Sequence, residues 1–250
     1  MPRFFVQSTQ IENGTVTVKG DDAHHISRAL RMAAGEHITV CDMQKNEYEC
    51  ELFEFLPDCV RARVLASSQS VADPPVSITL YQALPKGDKL DSIIQKAVEC
   101  GVSRIVPFES ERCIVRSKAD GEARKTERRA RIALEAAKQC GRGILPEVIP
   151  TVGFDAVLRE AAQYDAVFFC YEGDGTRPVG ELLRAYRPEN GGSIAIVIGS
   201  EGGFSLSEAD AAKQAGCLMT GLGSRILRTE TASSFMLACI SCVLELGASL

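Results

Sequence analysis

Through the first third of the chain, apolar and polar positions alternate in short runs, at residues 4–7, 15–19, 37–41, 48–55 and 60–65. Runs of this length, separated by turn residues, predict strands of a small, mostly β unit. One helix interrupts them, starting at Asp21 or Asp22 and stopped by Gly35. On it His24, Arg28 and Arg31 form a polar stripe at i, i+4 and i+7, and Ile26, Leu30 and Ala33 face the core. The segment 67–75, SSQSVADPP, has linker composition and divides 1–70 from 71–250. Beyond it the pattern changes period. Strands are predicted at 76–84, 103–108, 166–171, 194–198 and 217–222, and helices at 88–100, 122–140, 154–162, 179–186, from Ser205 onward, and at about 230–246. Such alternation argues for an α/β domain with a mostly parallel sheet covered on both faces.

The C-terminal part carries the candidate chemistry. The strand at 194–198 runs into Gly199-Ser-Glu-Gly-Gly203, after which Ser205-Leu-Ser-Glu208 has the form of a capping box. A second strand ends in Gly221-Leu-Gly223-Ser-Arg-Ile-Leu-Arg228, just before the last helix. Ligands of open α/β sheets sit outside the carboxyl ends of the strands, so both loops belong to one expected site. Neither is a dinucleotide fingerprint or a P-loop. Either glycine turn alone reads as a tight connection; the pair together with Arg225, Arg228 and Glu230 reads as a binding site.

Charge and cysteine content narrow the class. The formal net charge of -5 argues against bulk electrostatic binding of nucleic acid but allows a local basic face. Residues 112–142 are such a stretch, with a local charge of +6 and most of its cations on a predicted helix. A solvated helix face and phosphate contact are both open readings of it. The ten cysteines are scattered, and with no apolar leader in MPRFFVQSTQ they are expected to be reduced thiols of a cytoplasmic protein. Cys239 and Cys242 form a C-x-x-C inside the apolar last helix and read as buried small residues. His24, His25 and His37 lack cysteine partners at zinc spacing, so no metal is expected, and no run is long and apolar enough for a membrane span.

The segments HHISRALRM, LPKGDKLDSIIQKAVECGVSRIVPFESERCIVR, EAAKQCGR, IGSEGGF and LGSRILRTETA, in that order, closely resemble the SPOUT class of S-adenosylmethionine-dependent RNA methyltransferases. Within it they resemble the small subunit methyltransferase E family, which methylates N3 of a uridine in small-subunit ribosomal RNA. The resemblance spans nearly the whole chain. It implies a PUA-like β-barrel that binds RNA, a catalytic α/β domain with a C-terminal trefoil knot, and a homodimer. One departure is Ser200, where the family usually has proline.

Carried over by position, Tyr171, Glu172, Ile198, Gly199, Gly202, Gly203, Leu222, Gly223, Ile226 and Leu227 are expected to enclose the cofactor. Arg228, Glu201 and Glu230 are the candidate catalytic residues, the two carboxylates as alternative bases for the N3 proton. Arg3, Arg28, Arg31, Lys86, Arg112, Arg142 and Arg225 are expected to contact RNA. Two other functions stay open at this level: a non-catalytic RNA-binding assembly factor, and a methyltransferase of the same class acting on transfer RNA.

Overall fold

In the computed structural model, which describes residues 1–117, 120–186 and 191–247, the N-terminal alternation becomes a sheet with one buried face. Its strands are β1 (Arg3–Phe5), β2 (Ile11–Glu12), β3 (Thr15–Lys19), β4 (His37–Cys41), β5 (Asn46–Phe55) and β6 (Cys59–Gln69). Their order is β1-β4-β5-β6-β3-β2; β1 and β4 run parallel and the other pairs are antiparallel. Alternate residues point inward: Val16 and Val18, Ile38 and Val40, Cys50 and Leu52, Val60 and Ala62. Phe4, Val6, Ala23 and Ile26 complete this core. Each fully buried aliphatic side chain of this size contributes about 1.5–3 kcal/mol.

The helix here is shorter than its sequence suggests. It starts one residue after Lys19, as α1 (Gly20–His24), and passes into a π-helical turn, His25–Ala29. Asp21 and Asp22 sit in its first turn, where the helix dipole favours carboxylates. The wider turn breaks the 3.6-residue phase, and Arg31 leaves the helix at φ 54°. Ala23 and Ile26 are therefore buried as an inner face, whereas Leu30 and Ala33, expected in the core, are exposed.

The chain divides into two compact units, Met1–Asp73 with Ala137–Leu145, and Pro74–Ala136 with Pro146–Leu250. The return of 137–145 to the first unit has a physical cause. Arg142 is buried, and its Nε donates to Asp73 Oδ1 at 2.6 Å while Gly143 N–H donates to Asp73 Oδ2 at 2.9 Å. Lys138 Nζ donates to Asp22 Oδ1 at 2.9 Å.

The second unit holds a parallel sheet of β7 (Ser77–Ala83), β8 (Arg104–Glu109), β9 (Glu147–Val148), β10 (Val152–Gly153), β11 (Ala166–Cys170), β12 (Arg177–Pro178), β13 (Ser193–Ile198) and β14 (Leu218–Gly221). The order is β10-β8-β7-β13-β11-β14-β12, with β9 also on β8. The two-residue strands β9, β10 and β12 carry too little pattern to be read from sequence. Ile194 to Ile198 are all buried, as are Phe168 and Phe169, which is the signature of a sheet covered on both faces. The helices are α2 (Lys89–Glu99), α3 (Glu122–Cys140, whose last turn belongs to the first unit), α4 (Phe154–Glu160), α5 (Val179–Ala185), α6 (Leu206–Gln214) and α7 (Thr229–Leu244). The capping box at α6 forms: Glu208 N–H donates to Ser205 Oγ at 3.2 Å, and Ser205 N–H to Glu208 Oε2 at 2.9 Å. All ten cysteines are free thiols, Cys239 and Cys242 half-buried on α7.

Candidate active site

Three neighbouring strands of the parallel sheet, β13, β11 and β14, end at the same edge, and the loops that leave them enclose a cavity of about 590 Å³. The loop after β11 contributes Tyr171, Glu172 and Thr176, the one after β13 Gly199 to Glu201 with Gly203 and Phe204, and the one after β14 Leu222 to Arg228. Lys89 of α2 and Thr229 and Ala232 of α7 complete the wall. Phe204 anchors the middle loop from below: its ring centroid is 4.3 Å from that of Phe169 and 6.3 Å from that of Phe108, to which it is parallel.

The middle loop is fixed from several sides. Gly203 N–H donates to Ser200 O at 3.0 Å, closing a turn without the rigidity a proline would supply, and Ser200 is buried. Gly203 has φ 63°, and a Cβ there would lie 3.2 Å from Glu172 Oε1. Thr229 Oγ1, at the start of α7, donates to Gly199 O at 2.6 Å and accepts from Gln82 Nε2, on β7, at 2.9 Å. The start of the last helix is thereby held against two strand ends.

Of the ten residues expected around the cofactor, nine line the cavity. Gly202 does not. A Cβ at Gly202 would lie 3.0 Å from Arg112 Cβ and 3.1 Å from Arg112 O, so its missing side chain makes room for the neighbouring segment. Gly223, at φ 103°, would carry a Cβ into open space; what it supplies is a left-handed backbone.

Among the candidate catalytic residues, Arg228 and Glu201 line the cavity and Glu230 lies beside it, at the first turn of α7. Partial burial opposes ionisation of Glu201. Hydrogen bonds from Lys89 Nζ at 2.8 Å and from Lys86 N–H at 3.2 and 3.3 Å, with the Lys89 charge, outweigh it and hold the carboxyl below its ordinary pKa. Lys89 Nζ also lies 3.5 Å from Glu230 Oε2. Lys89 is thus a site residue that the sequence reading missed, although the LPKGDK segment containing it was singled out.

The residues expected to reach RNA fall into distinct classes. Arg28, Arg31 and Arg225 are exposed, with no hydrogen-bond or ion-pair partner among the described residues, and Arg225 lines the cavity. Lys86 is held by its backbone N–H on Glu201. Arg3 is largely enclosed: it pairs with Glu47 at 2.8 Å and donates to Cys41 Sγ at 2.9 Å and Arg142 O at 3.4 Å. Arg112 donates to Gly202 O at 3.2 Å. Arg142 departs most from expectation, because its buried guanidinium is committed to Asp73 and is out of reach of an external phosphate. Several cations of the +6 stretch are also ion-paired: Arg129 with Glu122 and Lys138 with Asp22 in enclosed pairs, Arg128 with Asp91 and Arg116 with Glu109 in exposed ones. Lys118 lies outside the described residues.

Residues 72–241 match the model of an RNA methyltransferase domain, and residues 18–54 that of an RNA methyltransferase PUA domain. The chain is 34% identical to the ribosomal RNA small subunit methyltransferase E of Bacillus subtilis (strain 168), over 98% of each protein. A crystal structure of a ribosomal RNA small subunit methyltransferase E from Neisseria gonorrhoeae bound to S-adenosyl methionine superposes with a TM-score of 0.82 at 30% identity, covering 97% of this chain and 98% of that one. The putative methyltransferase Lpg2936 from Legionella pneumophila, solved with the bound cofactor SAM, gives the same TM-score at 28% identity, covering 96% and 97%. With its glycine loops gathered around one cavity and a match running from end to end, the chain belongs to the ribosomal RNA small subunit methyltransferase E family.

Proposed function

We propose that this protein transfers a methyl group from S-adenosylmethionine to N3 of a uridine in small-subunit ribosomal RNA, and that it works in the cytoplasm. The observation that carries the reading is the cavity itself, formed by three loops from the carboxyl ends of adjacent parallel strands in a chain related end to end to enzymes of that name. Its volume of about 590 Å³ suits a nucleoside-sized ligand. Ile198, Leu222, Leu227 and Phe204 offer apolar surface for a base and ribose, while the glycine turns leave backbone N–H and C=O groups within reach of a ligand. When bound, S-adenosylmethionine supplies an electrophilic methyl group on a sulfonium.

The side chains then have separable roles. Arg225 and Arg228 stand exposed at the cavity and hold the target phosphate or the uracil carbonyls. Glu201 anchors the middle loop, since its carboxylate already accepts from Lys89 and Lys86. Among the described residues Glu230 pairs with Lys89 alone, at 3.5 Å, and its Oε2 accepts no hydrogen bond, so it is the better placed of the two carboxylates to receive a proton. Because N3 is on the pairing edge, a paired uridine has to leave its stack first. Arg28 and Arg31 meet the RNA backbone on the first unit, whose six-stranded sheet we read as a PUA-like barrel. The same reading takes the C-terminal part as a trefoil knot, as the resemblance of its IGSEGGF and LGSRILRTETA segments implies. It also takes the protein as a homodimer, supported by the exposed Ile114, Leu206 and Ile226 on segments around the cavity.

The test is transfer of labelled methyl from S-adenosylmethionine to small ribosomal subunits lacking the modification, and to their naked RNA, with the product mapped by reverse transcription. One new stop at a uridine is expected. Cofactor binding without transfer to either substrate would redirect the activity to another RNA, and absence of cofactor binding would leave an assembly factor.

A further inference from the structure

Lys89 opens α2, and its ammonium reaches two carboxylates that come from different parts of the chain. Glu201 Oε1, on the loop after β13, is 2.8 Å away, and Glu230 Oε2, at the start of α7, is 3.5 Å away. One cation therefore joins three elements at the wall of the cavity. Glu201 is held a second time by the N–H of Lys86, three residues before Lys89, so α2 and the turn leading into it grip the loop at two points. Glu230 has no such second support: its Oε2 is buried and makes no hydrogen bond among the described residues. Without Lys89, two like charges would share this wall with no cation between them. The hydrogen bond to Glu201 raises the Lys89 pKa, and Lys89 in turn helps to lower that of Glu201, so both partners stay ionised around neutrality.

We infer that Lys89 is a positioning residue for the cofactor: by bridging Glu201 and Glu230 it latches the loop 199–203 to the start of α7 and keeps the cavity in its binding shape. The inference rests on the reading of this cavity as the S-adenosylmethionine site. No bond of the cofactor is made or broken by Lys89. It acts through the loop, whose Gly199, Ser200, Glu201 and Gly203 form one side of the cavity.

Three proteins decide it: wild type, Lys89→Met, which keeps the aliphatic stem, and Lys89→Arg, which keeps the charge. In ligand-free protein, amide hydrogen exchange of the 199–203 loop should rise about 10-fold in Lys89→Met and stay near wild type in Lys89→Arg. S-adenosylmethionine affinity by calorimetry should weaken about 10-fold in Lys89→Met, with the arginine variant restoring it. Unchanged loop exchange and affinity in Lys89→Met would overturn the inference, as would an arginine variant as impaired as the methionine one. Should Lys89→Met fail to fold, Glu201→Gln replaces it and must give the same loop-specific rise; a wild-type exchange pattern there overturns the latch. Wild-type protein that binds no S-adenosylmethionine would instead bring down the reading of the cavity, a result separable from every outcome above.

Discussion

Gly202 leaves a hydrogen atom where any other residue would place a methyl group against the backbone of Arg112. The contact is with Cβ and a carbonyl oxygen, neither of which can rotate away, so in Gly202→Ala the loop and the 110–116 segment have to part by a few tenths of an ångström. We predict a loss of about 1–3 kcal/mol in stability and new proteolytic sensitivity within 110–116. Thermal unfolding checks the first and limited proteolysis with mass spectrometry the second; a variant as stable and as resistant as wild type would show that the segment yields freely. A sequence marks Gly202 as part of a glycine turn, and its expected cofactor role comes from the family resemblance. The neighbour that makes it glycine lies ninety positions away along the chain, which no local pattern contains. Arg142 has the same problem in reverse: its type suggests phosphate, and only the fold supplies Asp73.

Helix α3 is tied to its surroundings through its first residue. Glu122 accepts from Thr151 N–H at 2.9 Å, Thr151 Oγ1 at 2.6 Å, Arg129 at 2.9 Å and Ser117 Oγ at 2.5 Å. Partial burial works against its charge, but these donors prevail and lower its pKa from 4.5 to about 2. A carboxyl lowered on folding stabilises fully above its unfolded pKa and loses that contribution as pH falls toward the folded one. The contribution of Glu122 should thus hold at neutral pH and fade between about 4.5 and 2. In Glu122→Gln the melting temperature should be lower at pH 7 and should decline less steeply through that interval; parallel acid limbs for the two proteins would remove Glu122 from the account. Both ends of α3 were legible because Gly121 and Gly141 flank it, at φ 92° and 81°. The helix that begins at Gly20 was legible at its start but not in its early end, since a π-helical turn leaves no mark on hydrophobic spacing.

For the whole molecule, the exposed Arg28 and Arg31 and the cavity belong to different compact units, so RNA grip and cofactor grip should separate. Arg28→Ala combined with Arg31→Ala is expected to weaken binding to small-subunit RNA about 10-fold or more, with a shallower salt dependence, and to leave S-adenosylmethionine affinity within error. Parallel loss of both affinities in filter binding and calorimetry would argue against that division. Parallel-sheet topology and the gathering of glycine loops at one edge were readable from the period change near residue 76, because strand ends and turn chemistry are local properties. The unit boundary is only partly local, since 137–145 joins the first unit from far down the chain.

That late return sets a timetable for biosynthesis. Asp73 is translated 69 residues before the arginine that neutralises it. At roughly 5–20 residues per second this is several seconds during which the emerging first unit carries a carboxylate whose buried place is not yet ready. The N-terminal unit therefore cannot reach its final form on the ribosome as a separate early module. Its apolar core, drawn from residues 4–64, is made early, but the seat of Asp73 stays open until 137–145 has been translated.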